Sequence, residues 1–307
     1  MLDAQQLHAW RRDGYVVLPD FTSADDLRAL TRRARDIVEA FEPAAQAAVF
    51  SSVQPSVLAD AALLESATEV RCFFEEEAFD AQGQLRQAKA LSINKIGHAL
   101  HERDAVFARF SRDPRLAAIA ADIGIQQPQL WQSTVIFKQP AIGGEVRWHQ
   151  DASYFDTTPQ SVVAFWFALE DATLDNGCLW VQKSGGHHGP LREVFGREDG
   201  DEGGGVLRLR QLDTTPWPEP DDSLAETLAL EVSAGTLIVF HGLLPHASAP
   251  NRSAKSRMAY TLHVSDGACA YSPRNWLQRT AEFPVRGFEL PMVAPGARPG
   301  AHGQTMN

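Results

Sequence analysis

The sequence contains few cysteines. Only Cys72, Cys178 and Cys269 occur among 307 residues, and none of them belongs to a Cys-x-x-Cys pair. An odd number of widely spaced cysteines argues against a disulfide framework and against a structural zinc site. A reducing compartment is the simpler interpretation, so we predict a cytoplasmic protein.

Positive charge is also scarce. The chain carries 28 basic and 39 acidic residues, a net charge of -11, and lysine occurs at only five positions. No long basic run is present, which argues against nucleic acid and against an anionic membrane surface as partners. We therefore expect a small-molecule substrate as the partner, while the composition is silent on oligomeric state.

Long apolar runs and two common motifs are missing as well. No run approaches the roughly 20 residues of a membrane-spanning helix. The first residues lack the basic and apolar segments of a signal peptide, so we expect none. No βαβ unit and no G-x-G-x-x-G motif occurs, which excludes a dinucleotide-binding Rossmann domain.

The pattern of predicted secondary structure changes partway along the chain. Residues 1–127 are mainly helical in pattern, whereas 128–270 alternate short β-rich runs with Gly, Pro, Asn and Asp turns. We predict one α+β domain over 1–285, in which a helical support region precedes a β-sandwich or barrel. Long surface insertions are predicted at about 196–222, and a flexible tail over 286–307.

The most suggestive short motif is His149-Gln150-Asp151. If this stretch is a β-strand, His149 and Asp151 project from the same face. One imidazole and one carboxylate make up two-thirds of the facial triad of non-haem iron(II) oxygenases. Ten histidines and 39 acidic residues give roughly one such spacing by chance, so a surface histidine beside an aspartate is the alternative.

A third ligand has to come from elsewhere in the β-rich half. The candidates are the other histidines there: His187, His188, His241, His246 and His263. His246 is favoured because it follows the apolar strand 237–240 and precedes a turn and a second strand, 256–264. If these strands are antiparallel neighbours, Arg257 comes close to His246.

Arg257 would have a specific use beside such a metal. An iron held by two histidines and one aspartate keeps three open positions, of which a 2-oxo acid can fill two and O₂ the third. The planar guanidinium of Arg257 suits the distal carboxylate of that acid. Ser248 lies two residues from His246 and can add a hydroxyl donor. The alternatives are a hydrogen-bonded barrel histidine and a surface arginine.

The strand at 162–169 has two unlike faces. Its residues alternate as Val163, Phe165, Phe167 and Leu169 on one face and Val162, Ala164, Trp166 and Ala168 on the other. The large face suits packing against helices, and the small face with its tryptophan suits a cavity wall. The alternative is that both faces belong to a filled core.

Several longer blocks carry a resemblance. They are 92–101 (SINKIGHALH), 136–140 (IFKQP), 143–146 (GGEV), 149–153 (HQDAS), 170–174 (EDATL), 176–180 (NGCLW), 272–273 (SP) and 275–278 (NWLQ). In these blocks the chain resembles the phytanoyl-CoA dioxygenase family of Fe(II)- and 2-oxoglutarate-dependent oxygenases. The resemblance runs from Asp13 to about Phe283.

The resemblance implies a fold, cofactors and site residues. The implied fold is a double-stranded β-helix, a jelly-roll or cupin-like barrel, with N-terminal helices packed on one side. The implied reactants are Fe(II), 2-oxoglutarate as cosubstrate and O₂, with His149, Asp151 and His246 as catalytic iron ligands. The implied contacts to 2-oxoglutarate are Lys95, Thr134, Trp166, Ser248 and Arg257. Thr134 stands where a relative has methionine.

The chain departs from the family at two places. Family members usually continue with Pro-Gly-Ser-His after the strand at Trp180, where this chain has 182–189 (QKSGGHHG). Trp148 precedes His149 where a relative has proline. We expect both changes to lie near the entrance for the substrate, so the relatives' substrates are not transferred.

The favoured hypothesis is therefore a dioxygenase that hydroxylates a C–H bond and releases succinate and CO₂. The first alternative is a non-catalytic barrel that binds metal and 2-oxoglutarate as a sensor or scaffold. The second is another cupin-type enzyme, such as a metal-dependent isomerase, which would need neither Arg257 nor O₂.

Overall fold

The structure is a computed structural model that describes residues 1–43, 49, 61–183, 185–198, 206–218 and 226–289. Its strands are β1 (Tyr15–Leu18), β2 (Val70–Phe74), β3 (Ile93–His98), β4 (Pro128–Lys138), β5 (Val146–His149), β6 (Thr157–Thr158), β7 (Val163–Ala168), β8 (Leu179–Gln182), β9 (Glu193–Glu198), β10 (Val206–Gln211), β11 (Thr227–Leu230), β12 (Leu237–His241), β13 (His246–Ser248), β14 (Arg257–Asp266) and β15 (Ala270–Tyr271). Its α-helices are α1 (Ala4–Asp13), α2 (Ala24–Ala40), α3 (Ala61–Glu65), α4 (Leu100–Arg103), α5 (Ala105–Phe110) and α6 (Pro114–Asp122).

Two antiparallel sheets form the barrel. The larger has the strand order β1-β12-β7-β14-β4-β3-β2, and the smaller has the order β11-β8-β13-β5. An apolar cluster between the sheets contains Trp166 of β7, Val181 of β8 and Phe240 of β12. This arrangement confirms the predicted double-stranded β-helix.

The helices pack on the outer face of the larger sheet. Helix α2 begins at Ser23, whose hydroxyl accepts a hydrogen bond from the Asp26 amide at 3.1 Å and so caps the first turn. Its buried residues Leu30, Ala34 and Val38 are four apart, which places them on one face. Full burial of each leucine or valine side chain contributes about 1.5–3 kcal/mol. Within the described ranges, no helix combines the length and apolar character of a membrane span.

The large face of β7 packs against the helices as predicted, whereas the small face, apart from Trp166, belongs to a filled core between the sheets. Phe165 and Phe167 belong to the core between the larger sheet and the helices, whereas Ala164 and Trp166 face the smaller sheet. The strand is buried on both sides, so every one of its residues is apolar, and residue size rather than polarity distinguishes the faces.

Two predictions about strands are wrong. The strand that carries His149 ends there, and Asp151 begins a short 3₁₀ turn, Asp151–Ser153, instead of continuing the strand. In addition, neither β12 nor β13 pairs with β14. Strand β13 pairs with β5 and β8 in the smaller sheet, while β14 lies between β4 and β7 in the larger sheet.

The predicted loop and tail also need correction where the structure describes them. Strand β10 lies inside the stretch predicted as a surface insertion, and it pairs with β9, which begins before that stretch at Glu193. The backbone carbonyl of Arg286 accepts a hydrogen bond from the Leu130 amide at 2.8 Å, and Phe288 is buried in the core. The rest of the predicted tail, 290–307, lies outside the described residues, as do 199–205 and 219–225. The domain boundaries stay a prediction.

Gly14 joins α1 to β1 at a position that requires glycine. Its φ is +78°, and an added Cβ would lie 2.5 Å from the His187 ring. Gly83 has a similar φ of +76° but nothing within 4 Å of an added Cβ. A comparison of Gly14 with Gly83 therefore distinguishes the cost of backbone strain, which both positions share, from the cost of the close His187 ring, which only Gly14 has.

We expect Gly14→Ala to lower the free energy of unfolding more than Gly83→Ala does. The shared strain of a left-handed alanine costs about 1–2 kcal/mol, and the clash at Gly14 adds about 1–3 kcal/mol. Urea unfolding of both variants measures the difference. Equal losses would contradict the close packing of His187 on Gly14.

Candidate active site

Two histidines face each other across neighbouring strands. His149 at the end of β5 is paired with His246 at the start of β13, and their ring centroids are 4.1 Å apart. The Nδ1 atom of His149 is 2.9 Å from the carbonyl of Arg147, and that of His246 is 3.0 Å from the carbonyl of Leu244. A proton on each Nδ1 therefore leaves the Nε2 lone pair free for a metal.

Asp151 completes the cluster from the turn after β5. Its Oδ1 lies 3.5 Å from His149 Nε2 and 3.7 Å from His246 Nε2, and one ligand atom from each residue lies within 4.8 Å of the others. Adjacent ligands with metal bonds of about 2.1 Å are about 3 Å apart at a right angle, so small side-chain shifts suffice. In the described chain, this is the only such cluster of three.

The charges in this cluster suit a cation. Burial alone would raise the pKa of the Asp151 carboxyl, but the neighbouring His263, His246 and His149 hold it well below its usual range. Burial, together with the adjacent His149 imidazole, lowers the pKa of His246 to about 4. An ionised carboxylate is therefore buried beside neutral imidazole, an arrangement that a bound cation compensates.

The other candidate histidines divide into two groups. His187, His188 and His241 lie together near the start of β1, with the rings of His187 and His241 5.5 Å apart, and they are not part of the cluster. His263 does reach it, because its Nε2 lies 3.1 Å from Oδ2 of Asp151.

A cavity of about 200 Å³ opens beside the cluster, and Arg257 lies at one end of it. The guanidinium donates from Nε to the carbonyl of Gly177 at 3.1 Å and from Nη2 to Oγ of Ser248 at 3.4 Å. It also lies 5.6 Å from the Trp166 ring centroid. Arg257 reaches Ser248 from the opposite sheet, and not from a neighbouring strand as predicted.

Arg257 is a buried cation. Its side chain is only 2% exposed, and among the described residues no carboxylate lies within ion-pair distance of it. Burial lowers the pKa of Arg257 to about 10, so the guanidinium still carries its charge at neutral pH. A buried, charged guanidinium without a carboxylate partner among the described residues is suited to binding an anionic ligand.

Lys95 and Thr134 line the same cavity from neighbouring strands. In the register of β3 and β4, Lys95 is paired with Ile136, and Gly97 is paired with Thr134. Burial lowers the pKa of Lys95 to about 7, against an opposing attraction from Glu75. Thr134 accepts a hydrogen bond from Gln132 Nε2 at 3.2 Å. All eight residues that the sequence suggested for the site therefore border one cavity.

Two charged residues at this end were not predicted. Lys138 is paired with Arg257 in the sheet, and its Nζ donates to the carbonyls of Gly144 at 2.5 Å and Ala249 at 2.8 Å. Glu75 Oε2 accepts from Asn94 Nδ2 at 2.9 Å and from the Gly144 amide at 3.2 Å. In the sequence, the only signals were the rarity of lysine and an acidic run that looked like a surface turn.

The other end of the cavity is largely aromatic. Its wall contains Tyr154, Phe155, Phe195, Leu209 and Trp276. Phe195 and Leu209 are paired across the β9–β10 hairpin, so the segment predicted as a loop supplies part of this wall.

The two departures from the family pattern are not among the residues that line the cavity. Trp148 packs with Trp180 and Ala247 in a separate cluster. His187 packs against Gly14 instead, and neither His188 nor Lys183 contacts the cavity. Ser184 lies outside the described residues.

The fold and this cavity together define a 2-oxoglutarate-dependent non-haem iron dioxygenase, which uses Fe(II), 2-oxoglutarate and O₂. Residues 10–259 match the model of the family described as phytanoyl-CoA dioxygenase (PhyH), and the chain belongs to this family. The resemblance noted in the sequence is thereby confirmed.

Individual relatives match over almost the whole chain. A phytanoyl-CoA dioxygenase of Arabidopsis thaliana is 41% identical over 292 residues, which cover 94% of this chain and 98% of the relative. Phytanoyl-CoA dioxygenase domain-containing protein 1 of Bos taurus is 39% identical over 290 residues, covering 92% and 97%. The crystal structure of EctD from S. alaskensis with 2-oxoglutarate and 5-hydroxyectoine has the same fold, with a TM-score of 0.59, 24% identity and coverage of 91% and 84%.

We expect His246→Ala to weaken Co(II) binding strongly, because the substitution removes one of three nitrogen and oxygen donors. Equilibrium titration against a chelator measures the affinity. The matched control is His241→Ala, which removes a half-buried histidine that is not in the cluster, and it should bind Co(II) like the wild type. Equal affinities for all three proteins would contradict a metal site at His246.

Proposed function

We propose that His149, Asp151 and His246 hold Fe(II) and that the enzyme hydroxylates a C–H bond of a small molecule, with conversion of 2-oxoglutarate to succinate and CO₂. The observation that carries the proposal is the placement of Arg257. A buried guanidinium without a carboxylate partner among the described residues shares one cavity with a His-Asp-His cluster.

The residues around Arg257 form the proposed cosubstrate site. The guanidinium and the Ser248 hydroxyl bind the distal carboxylate of 2-oxoglutarate, because both can donate hydrogen bonds to it. Trp166 forms an apolar wall beside them, and Lys95 and Thr134 line the cavity from strands β3 and β4 of the same sheet. Lys138 holds the carbonyls of Gly144 and Ala249 in place behind this site.

Iron with 2-oxoglutarate and O₂ supplies the oxidising chemistry when all three are bound. The protein's own contribution is geometry and the exclusion of water. His149 and His246 present neutral imidazoles in fixed orientations, and Asp151 supplies one negative charge. The presence of Asp151 argues against halogenation, which needs a vacant ligand position for halide.

The aromatic end of the cavity is the proposed substrate chamber. Its walls combine Tyr154, Phe155 and Trp276 with His98 and Gln132. Such a lining suits a small, largely apolar substrate with a few groups that form hydrogen bonds. The structure of EctD with 5-hydroxyectoine is an example of a small molecule in this fold.

The first prediction for this function concerns turnover. Wild-type protein with Fe(II), O₂ and a suitable substrate should release succinate from 2-oxoglutarate, whereas His149→Ala and Asp151→Ala should not, because each lacks a metal ligand. Succinate is quantified by mass spectrometry. Equal turnover in all three proteins would exclude the proposal. Tight cosubstrate binding without turnover across a broad substrate panel would favour the sensor or scaffold instead.

The second prediction concerns Arg257. Replacing it with alanine should raise the Kd of 2-oxoglutarate by at least about tenfold, because hydrogen bonds to a charged group contribute about 1.5–3 kcal/mol. Titration calorimetry under anaerobic conditions measures this Kd.

The control for Arg257→Ala is Arg252→Ala. Arg252 is exposed and paired with Glu77 at 2.7 Å, a surface contact worth little, so cosubstrate affinity should not change. If Arg257→Ala left the activity intact, a cupin-type enzyme that needs neither Arg257 nor O₂ would be favoured.

A further inference from the structure

His263 contacts the proposed metal ligand Asp151 from the opposite sheet. It lies on β14, where it is paired with Gln132 of β4 and Ala164 of β7. Its ring stacks on Phe155, with centroids 4.9 Å apart and an interplanar angle of 24°. The side chain is buried, so its position is determined by packing within the barrel.

The two oxygens of Asp151 have different neighbours. Oδ1 faces the Nε2 atoms of His149 and His246, at 3.5 and 3.7 Å. Oδ2 faces Nε2 of His263 at 3.1 Å and accepts no hydrogen bond from any other described group. The contact has the length of a hydrogen bond but not its full alignment, which a small rotation of either side chain would supply.

The hydrogen bonds of the three imidazoles separate His263 from the two ligands. His149 and His246 each have a backbone carbonyl beside Nδ1, which leaves Nε2 bare. The Nδ1 atom of His263 is buried and has no hydrogen-bond partner among the described residues. In a neutral His263 the proton is therefore best placed on Nε2, where the N–H group can donate to Oδ2 of Asp151. With the proton on Nδ1, the Nε2 lone pair would face the lone pairs of that oxygen.

We propose that His263 is the positioning residue of the metal centre: it donates a hydrogen bond to Oδ2 of Asp151 and so presents only Oδ1 to the metal. This inference rests on the proposed function. A carboxylate bound through both oxygens would take one of the three metal positions that 2-oxoglutarate and O₂ require. His263 thus preserves the number of open positions without binding the metal itself.

Three substitutions of His263 test the proposal through Co(II) binding, measured by chelator competition and by the visible spectrum of the bound ion. Glutamine places an amide nitrogen near the position of Nε2, asparagine places it near that of Nδ1, and leucine has no donor. We expect His263→Leu and His263→Asn to bind Co(II) about 10- to 100-fold more weakly, with a spectrum altered by the change in coordination. His263→Gln should retain affinity and spectrum close to wild type.

His101→Leu is the matched control. His101 is another buried histidine, but it does not line the cavity, and its Nδ1 and Nε2 lie 2.7 Å from Ser133 Oγ and 3.2 Å from the Leu130 carbonyl. Its Co(II) affinity should match that of the wild type. Thermal unfolding of each apo-protein identifies variants that lose affinity because they do not fold, and the comparison of glutamine with asparagine does not depend on the leucine variant.

The outcomes separate the two proposals. Wild-type affinity in His263→Leu, or equal affinities in the glutamine and asparagine variants, would overturn the role of His263 alone. A wild-type protein that fails to bind Co(II) would overturn the proposed function, and this inference with it.

Discussion

The site depends on the antiparallel pairing of β5 with β13. This short contact places His149 directly opposite His246, although 96 positions separate them in the chain. The strand then ends, and the turn that begins at Asp151 brings a carboxylate back toward both rings. If the register of this pair shifted by one residue, His246 would project to the other side of the sheet and the cluster would be lost.

The two sheets contribute different parts of the chemistry. The smaller sheet and its adjoining turn supply the His-Asp-His cluster, while the larger sheet supplies Arg257, Trp166, Lys95 and Thr134. The distance between the sheets therefore sets the distance between the His-Asp-His cluster and Arg257. The helices outside the larger sheet stabilise its apolar outer face, which allows polar side chains to face inward.

Burial makes the charges of this cavity effective. Arg257 and Asp151 lie where water is largely excluded, so each charge interacts strongly with a ligand of opposite sign. The same burial makes each of these charges costly without its partner. A barrel that retains a buried guanidinium and a buried carboxylate is therefore organised for binding more than for stability.

The sequence by itself determined the α+β class and the large, helix-facing side of β7, and it identified the His-Asp pair as a candidate. These follow from local spacing, which a chain expresses without distant contacts. Its resemblance to a family added the barrel and the remaining site candidates. Only the tertiary structure decided that Arg257 approaches Ser248 from the opposite sheet, that the β9–β10 hairpin lines the cavity, and that Trp148 points away from it. It also separated His263 from His149 and His246, because His263 contacts Asp151 from the opposite sheet, whereas the other two rings have backbone carbonyls two residues away beside Nδ1.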